Sequence, residues 1–346
     1  MDRAKARAFV DEFMTLTSGA TTIGLLAIAD RSGLLRSMRG QPLRPIEEVA
    51  SEAGLDLRYT LEILSGLAAA RIVDYDPITE GFALSDEHAA VLADDASPYS
   101  MTGWLDMIPA AFGQIDGITQ AVERGGGVPF EDFDPSMVRG IDRGARPSMR
   151  LLLTRRWLPT MPDIVERLEA GGRVADIGCG SGSAVVAMAS AFPNAEVIGF
   201  DISPQSIERA TSSERPPNAT FVLGDSTELT KRGRFDLVTA FDVVHDLARP
   251  AIVLADINRS ISDGGAFMMM EPRIQDDLAD NINDRAAALY GISTLHCMTQ
   301  SLAQGGAGLG AAAGPAVIEN LCRQAGFTSF EELPIDNPFS AFFRAG

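Results

Sequence analysis

The chain has 346 residues, 46% of them hydrophobic and 22% charged, and its formal net charge is −18. The length suggests more than one domain, and the apolar fraction is that of a globular protein rather than a disordered one. The acidity argues against sequence-tolerant nucleic-acid binding, which needs a positive surface. Three cysteines without a C-x-x-C pair argue against a disulfide framework and favour a reducing compartment.

The N-terminal segment predicts a long helix. Residues 8–35 place apolar side chains at helical spacing, which gives a wide apolar band. Such a band is expected to be buried, either against the same chain or against a second copy. We expect a homodimer that forms through these N-terminal helices. Neither a signal-peptide core nor an apolar run of about 18 residues is present. We therefore expect no membrane association and a cytoplasmic protein.

A winged-helix domain is predicted for residues 1–95. Two short helical patterns, at 45–55 and 56–72, precede two strand-like runs that would form the wing. The second helix is expected to bury one stripe, consisting of Leu57, Leu61, Leu64 and Leu67. Residues 1–95 contain nine Lys and Arg against sixteen Asp and Glu. This excess of acid favours a dimerisation scaffold over DNA recognition, and no nucleic-acid partner is expected.

Residues 96–170 predict a helical linker interrupted by glycine and proline. Met101 and Trp104 lie on an apolar helical stripe. Such a stripe is usually core, but methionine and tryptophan also suit the wall of an apolar substrate pocket. The linker is therefore expected to contribute to a substrate pocket.

Residues 171–346 show a different pattern, in which short apolar strands alternate with helical segments. This alternation predicts a mostly parallel sheet with helices on both faces. The last residues predict an antiparallel C-terminal hairpin that completes the sheet. The predicted fold class is thus α/β, with a Rossmann-like sheet preceded by a helical, winged-helix domain.

The first strand of this region ends in a glycine-rich turn. Asp176, Gly178, Gly180 and Gly182 form a D-x-G-x-G-x-G pattern that leads into a helix. Glycines allow a sharp turn and close approach of a ligand. The acid two positions before the first glycine can receive a cationic amine, which suits a cofactor that carries an amino acid better than a pyrophosphate.

Acids also follow the next two strands. Asp201 ends the second strand, where a carboxylate can accept hydrogen bonds from both ribose hydroxyls. Asp225 and Ser226 end the third, where they suit an adenine. Each acid alone is also a common loop or helix-capping residue. Together, at the carboxyl edge of one sheet, they predict a nucleoside-binding site.

These motifs resemble those of class I S-adenosylmethionine-dependent methyltransferases. With the winged-helix region, the whole chain is similar to dimeric small-molecule O-methyltransferases of plants and bacterial secondary metabolism. Segments 243–250 and 295–310 also resemble a group of bacterial winged-helix methyltransferases whose substrates are mostly undefined. The resemblance implies S-adenosylmethionine as cofactor, with Ile202 and Phe241 as further contacts.

The resemblance also implies a general base. An HD pair after the fourth strand supplies it in these enzymes, which corresponds here to His245 and Asp246. A histidine can remove the hydroxyl proton before in-line methyl transfer. A structural role beside a helix start is the alternative for His245, and Leu247 replaces the tryptophan that commonly follows HD. His296 is a second candidate base, an acceptor-positioning group or a structural histidine.

The remaining assignments concern the acceptor. Met298 and Glu271 are expected in the substrate pocket, although Glu271 equally suits a surface carboxylate. No metal is predicted, since three histidines and scattered thiols suggest no ligand set. The expected function is O-methylation of a small, partly apolar metabolite, with transfer to nitrogen, carbon or sulfur left open. The alternatives are a regulator that senses S-adenosylmethionine or a metabolite without catalysis, and an enzyme that uses the cofactor for another reaction.

Overall fold

The computed structural model describes residues 1–346, which form two compact units. The first consists of residues 1–110 and 135–147, and the second of residues 111–134 and 148–346. The division does not coincide with the predicted boundaries at 95 and 170, because the predicted linker supplies helices to both units.

The helices follow one another along the whole chain. They are α1 (Arg3–Arg31), α2 (Leu34–Met38), α3 (Ile46–Ala53), α4 (Leu57–Ala69), α5 (Asp86–Leu92), α6 (Thr102–Phe112), α7 (Ile115–Arg124), α8 (Ser136–Ser148), α9 (Pro162–Glu169), α10 (Ser183–Ala191), α11 (Pro204–Ser212), α12 (Ser226–Lys231), α13 (Pro250–Ser260), α14 (Asp284–Ile292), α15 (Met298–Ala303) and α16 (Pro315–Gln324). Two further segments are π-helical, Met149–Trp157 and Ser293–Cys297. Single 3₁₀ turns complete the helical structure, at Phe130–Asp132, Leu158–Thr160, Val244–Asp246 and Leu278–Asn281.

The strands form two sheets. They are β1 (Arg44–Pro45), β2 (Asp74–Asp76), β3 (Gly81–Ala83), β4 (Arg173–Ile177), β5 (Glu196–Asp201), β6 (Ala219–Leu223), β7 (Phe235–Phe241), β8 (Ile261–Pro272), β9 (Phe330–Glu332) and β10 (Ser340–Ala345). In the first unit the order is β1-β3-β2, and in the second it is β6-β5-β4-β7-β8-β10-β9. The strands from β4 to β8 pair in parallel, whereas β10 pairs antiparallel with β8 and β9. The predicted fold class is confirmed.

The large sheet is buried on both faces, as its apolar strands predict. Trp157, Leu237 and Phe342 belong to the core on one face, and Phe200 and Phe267 to the core on the other. A parallel sheet covered in this way exposes mainly its strand ends. The carboxyl ends of β4 to β8 therefore remain available for a ligand.

The helix-turn-helix of the first unit forms as expected, with two corrections. The predicted helix at 8–35 is two helices, because Gly33 has a φ of 80° and begins α2. The predicted stripe of α4 is wrong at Leu57 and Leu61, which are exposed. The helix instead buries Thr60, Ile63, Leu64 and Leu67, a face rotated from the predicted one.

Helix α1 leaves much of its apolar surface exposed. The exposed apolar side chains are Phe9, Val10, Phe13, Met14, Leu16 and Ile28. By length and composition alone this helix is also the one that is long and apolar enough to cross a membrane. Both findings describe a helix whose apolar face lacks cover within the chain.

Candidate active site

The glycine-rich turn after β4 has the backbone that the sequence predicts. Gly178, Gly180 and Gly182 have φ values of 66°, 54° and 86°, in the left-handed region that favours glycine. A Cβ on Gly182 would lie 2.4 Å from the ring of Phe221, whereas one on Gly180 would meet nothing within 4 Å. Gly182 thus serves packing, and Gly180 lies beside open space.

Asp201, at the end of β5, binds this turn. Its Oδ2 accepts the N–H of Gly180 at 2.8 Å and its Oδ1 accepts the N–H of Ser203 at 2.8 Å. Burial raises the pKa of this carboxyl, and the backbone N–H groups partly offset the rise. Each oxygen keeps a second lone pair for a hydroxyl. The following residue, Ile202, is 66% exposed and offers an apolar surface at the same edge.

Asp176 is buried at the end of β4. Burial raises the pKa of its carboxyl to about 7, against the hydroxyl of Thr239, which donates to Oδ1 at 2.6 Å. Nearby Asp201 adds to the rise by repulsion. A buried carboxyl with one partner can form an ion pair with an ammonium group, which would stabilise its charged form.

The third strand end carries two different roles. Asp225 is exposed and caps α12 by accepting the N–H of Thr227 at 2.9 Å. The hydroxyl of Ser226 is buried and donates to Asp256 at 2.5 Å, so it faces the core. Only the backbone of Ser226 is therefore left for a ligand. Phe241, at the end of β7, is half-buried and packs on Trp157 with ring centroids 6.3 Å apart.

His245 and Glu271 form a buried pair beyond β7 and β8. The Nδ1 of His245 lies 2.6 Å from Oε2 of Glu271. A carboxylate only accepts, so Nδ1–H donates and Nε2 carries the lone pair of the neutral ring. Glu271 also accepts the backbone N–H groups of Val244 and His245, at 2.9 and 3.3 Å. Its interpretation as a surface carboxylate is wrong, since it is 2% exposed.

Asp246 lies on the other side of the imidazole. Its Oδ1 is 3.3 Å from Nε2 of His245. Burial alone lowers the pKa of His245, but Asp246 and Glu271 outweigh it and hold that pKa well above its usual value. Asp246 does not cap α13, because the residue before that helix is Arg249. The pair of carboxylates stabilises a proton on His245.

Asp242 is a site residue that the sequence does not single out. It has a φ of 55°, rare for a residue other than glycine, and its N–H donates to the carbonyl of Met270 at 2.8 Å. The protein packed around the carboxyl of Asp242 raises its pKa, as does repulsion from Glu271 and Asp246, although the residue is exposed to solvent. The only sequence signal for it is an acid at the end of a parallel strand.

His296 is buried between aromatic rings. Phe130 and Phe133 meet it edge-on, with centroids 5.7 and 5.1 Å away. Burial lowers the pKa of His296, and nearby His245 lowers it further. Its Nδ1 lies 3.7 Å from Sγ of Cys297, and its Nε2 is buried without a hydrogen-bond partner. Residue 298, the predicted pocket methionine Met298, begins α15 and is half-buried.

The loop after α15 is tied to the segment that carries His245. Gly310 donates its N–H to the carbonyl of His245 at 3.1 Å, and Ala307 donates to that of Ala248 at 2.9 Å. The hydroxyl of Ser301 donates to the carbonyl of Leu247 at 3.2 Å. The loop therefore supports the histidine.

The predicted pocket residues Met101 and Trp104 belong to the first unit, where both are half-buried. The other predicted site residues belong to the second unit. Within it, the first three strand ends and their glycine turn form one group, and His245, Asp246, Glu271 and Cys297 form another.

The residues present fit an S-adenosylmethionine. The open space beside Gly180 leaves room at the turn, Asp201 retains lone pairs for ribose hydroxyls, and buried Asp176 suits an ammonium group. When bound, this cofactor supplies an electrophilic methyl group on a sulfonium sulfur.

Comparisons with known proteins agree with this fit. Residues 168–311 match the family described as a methyltransferase domain, and residues 19–94 match the Rv2258c-like winged HTH domain. A trans-aconitate 2-methyltransferase of Methylobacterium radiotolerans is 33% identical over 150 residues, which are 43% of this chain and 52% of that protein. The chain spans about half the length, or less, of the first curated relatives it matches.

Solved structures share the fold along nearly the whole chain. Mitomycin 7-O-methyltransferase has a TM-score of 0.69 at 17% identity, with 99% of this chain and 100% of that one covered. Human N-acetylserotonin methyltransferase, solved in complex with S-adenosylmethionine, has a TM-score of 0.66 at 18% identity, with 100% and 98% covered. The chain therefore contains a methyltransferase domain at residues 168–311 and a winged helix-turn-helix domain at residues 19–94, on a fold shared with solved methyltransferases, and its strand-end site fits S-adenosylmethionine as cofactor.

Proposed function

We propose that the protein methylates a hydroxyl oxygen of a small, partly apolar molecule, with His245 as the general base. The observation that carries the proposal is the His245–Glu271 pair. Glu271 fixes the tautomer and the ring, so that once the proton held by the carboxylates has left, the lone pair of the neutral imidazole lies on Nε2. A fixed base of this kind contributes typically about 10²–10⁴-fold to a rate.

In this mechanism His245 would remove the proton of the acceptor's hydroxyl, and the oxygen would accept the methyl group of a bound S-adenosylmethionine, whose sulfur would keep the electrons of the broken S–CH₃ bond. Glu271 and Asp246 stabilise the resulting imidazolium, since both are close to the ring. Phe130 and Phe133 beside His296 supply apolar surface for the acceptor. Positioning of acceptor and methyl group is expected to contribute more than the base does.

The charge around His245 bears on the class of acceptor. Asp242, Asp246 and Glu271 surround it, and a tricarboxylic acid such as trans-aconitate would meet repulsion there. A neutral or cationic hydroxyl compound fits better. The acceptor is therefore proposed to differ from that named for the Methylobacterium relative.

We also propose a homodimer in which the exposed apolar face of α1 is covered by a second copy. The face carries Phe9, Phe13 and Leu16, which no part of the chain covers. Exposed apolar patches of this kind mark interaction surfaces. A cytoplasmic location is proposed with it, and a membrane-bound α1 is the competing outcome.

The decisive experiment compares His245→Ala with the unaltered protein in a screen of hydroxylated small molecules and methyl-labelled cofactor. We expect transfer to fall by about 10²-fold or more while affinity for S-adenosylhomocysteine stays within a few-fold. Label recovered on a hydroxyl oxygen supports O-methylation. Full transfer by His245→Ala, or a parallel loss of S-adenosylhomocysteine binding, would contradict the base assignment.

A further inference from the structure

Three different ligand groups meet beside the proposed base. A ring nitrogen of His245, a carboxylate oxygen of Asp246 and Cys297 Sγ all lie within 4.8 Å of one another. Cys297 supplies its sulfur from the end of the π-helical segment Ser293–Cys297. Imidazole nitrogen, carboxylate oxygen and thiolate sulfur are the groups that Zn²⁺ takes from proteins. Cys297 follows Asp246 by 51 positions, so only the fold brings its sulfur to the adjacent pair His245 and Asp246.

The spacing of two of these atoms already suits a metal. Ligands about 2.0–2.1 Å from a tetrahedral ion are about 3.3–3.4 Å apart. His245 Nε2 and Asp246 Oδ1 are 3.3 Å apart. The same Oδ1 is buried and faces the imidazole of His245. A cation between the two atoms would take the place of the proton that they share.

Glu271 is the hydrogen-bond acceptor for the ring nitrogen of His245 that would not bind the metal. Zinc-binding histidines almost always donate their other ring N–H to a carboxylate or a carbonyl. Here His245 Nδ1–H donates to Glu271 at 2.6 Å, which directs the Nε2 lone pair toward Asp246. With three protein ligands, the fourth position remains for water.

We propose that His245, Asp246 and Cys297 bind a zinc-type divalent ion, which takes the lone pair of His245 Nε2 and so blocks methyl transfer. Binding forms metal–nitrogen, metal–oxygen and metal–sulfur bonds, and the thiol proton, with any proton on Nε2, passes to solvent. The block rests on the function proposed above, whereas metal binding does not.

Co²⁺ is the probe of binding, because a thiolate ligand gives it a charge-transfer absorption. Titration of reduced, metal-free protein is expected to produce this band together with tetrahedral d–d bands, and Zn²⁺ is expected to abolish both. Cys297→Ser should lose the charge-transfer band. The matched control, Cys322→Ser, alters another buried thiol of the same unit and should keep it. Absence of the band in the unaltered protein, or its persistence in Cys297→Ser with circular dichroism unchanged, overturns the site.

Two further measurements separate the site from the proposed function. Glu271→Gln is expected to weaken Zn²⁺ binding by about 10–100-fold, and unchanged affinity would contradict its part in the site. Zn²⁺ is expected to inhibit transfer, and a chelator to restore it. If Zn²⁺ binds at this site but does not inhibit methyl transfer, the proposed inhibition by the metal is wrong. A metal-free protein that binds Co²⁺ as expected but methylates no hydroxyl counts against the proposed function and leaves the site supported.

Discussion

Thr239 donates its hydroxyl hydrogen to Oδ1 of Asp176 at 2.6 Å and so joins two paired strands through their side chains. The two residues are register partners in β4 and β7. One hydrogen bond orients the carboxyl but does not offset its burial, so the pKa of Asp176 is raised to about 7. The carboxylate that is to meet the cofactor's ammonium group therefore changes charge near neutral pH.

Cofactor affinity is accordingly expected to depend on pH. Ionised Asp176 pairs with the ammonium group, so the affinity for S-adenosylhomocysteine should rise between about pH 6 and 7.5. Isothermal titration at several pH values measures this. Asp176→Asn should bind more weakly with a flatter profile. Asp225→Asn is the control and should keep the pH dependence of the unaltered protein. Hydrogen bonds from Thr227 lower the pKa of Asp225, so this carboxylate stays ionised over the whole pH range. A flat profile for the unaltered protein would contradict the prediction.

The same carboxyl affects the stability of the ligand-free protein. Its pKa is higher when folded, about 7, than when unfolded, about 3.9. The resulting stabilisation is thus complete only below the unfolded pKa and is lost as pH rises through 7. Asp176→Asn should therefore gain stability relative to the unaltered protein from pH 5 to pH 8, as measured by urea denaturation. A difference that is constant with pH would refute this.

Gly180 and Gly182 are expected to respond differently to alanine. Gly182→Ala combines a φ of 86° with a clash against Phe221, and should lower the free energy of unfolding by about 2–5 kcal/mol. Gly180→Ala adds only backbone strain, about 1–2 kcal/mol, because no atom lies near its Cβ. It should instead weaken S-adenosylhomocysteine binding. Urea denaturation and titration of both variants test this, and equal destabilisation would contradict it.

Glu271→Gln is expected to slow methyl transfer by at least about 10-fold. The amide keeps one oxygen acceptor, but its NH₂ group faces either the ring N–H of His245 or the N–H of Val244. The ring of His245 is then held less firmly, and its protonated form loses the stabilising charge of the carboxylate. The kcat with any accepted hydroxyl compound measures the effect, with cofactor affinity as the control. An unchanged kcat would show that the pair does not serve the reaction.

The α1 face is expected to hold two copies together. Phe9→Ser combined with Phe13→Ser should convert a dimer to a monomer in light scattering after size exclusion, because both side chains are exposed in the single chain. Ile78→Ser is the control, since Ile78 is also exposed in the first unit but lies outside α1. If the unaltered protein is a monomer, the dimer is contradicted. If it sediments together with lipid vesicles, α1 binds membranes instead.

The strand-end residues were predictable because they follow from local pattern. Apolar strands ending in Asp176 and Asp201, with glycine between them, place both acids at one edge whatever the packing in detail. Side-chain direction was not predictable in this way. Ser226 lies just beyond β6, much as Asp201 lies at the end of β5, yet its hydroxyl turns to Asp256 because α12 packs there against α13.

Long-range pairs were also beyond the sequence. Glu271 follows His245 by 26 positions, and only the parallel pairing of β7 with β8 brings them together. The buried face of α4 shows the same difficulty locally, since an alternative helical stripe through Leu57 and Leu61 fits the sequence equally well. The choice between the two faces depends on the neighbouring helices.

The hydrogen bonds from Gly310 and Ala307 to the carbonyls of His245 and Ala248 couple the conformation of the loop to the position of the proposed base. A change in the length or path of residues 304–314 moves the backbone of His245 along with the loop. Insertions or deletions in this loop should therefore lower the rate of methyl transfer unless both carbonyl contacts are kept. Substitutions that preserve them, such as those at the half-buried side chain of Leu309, are the better starting point for engineering.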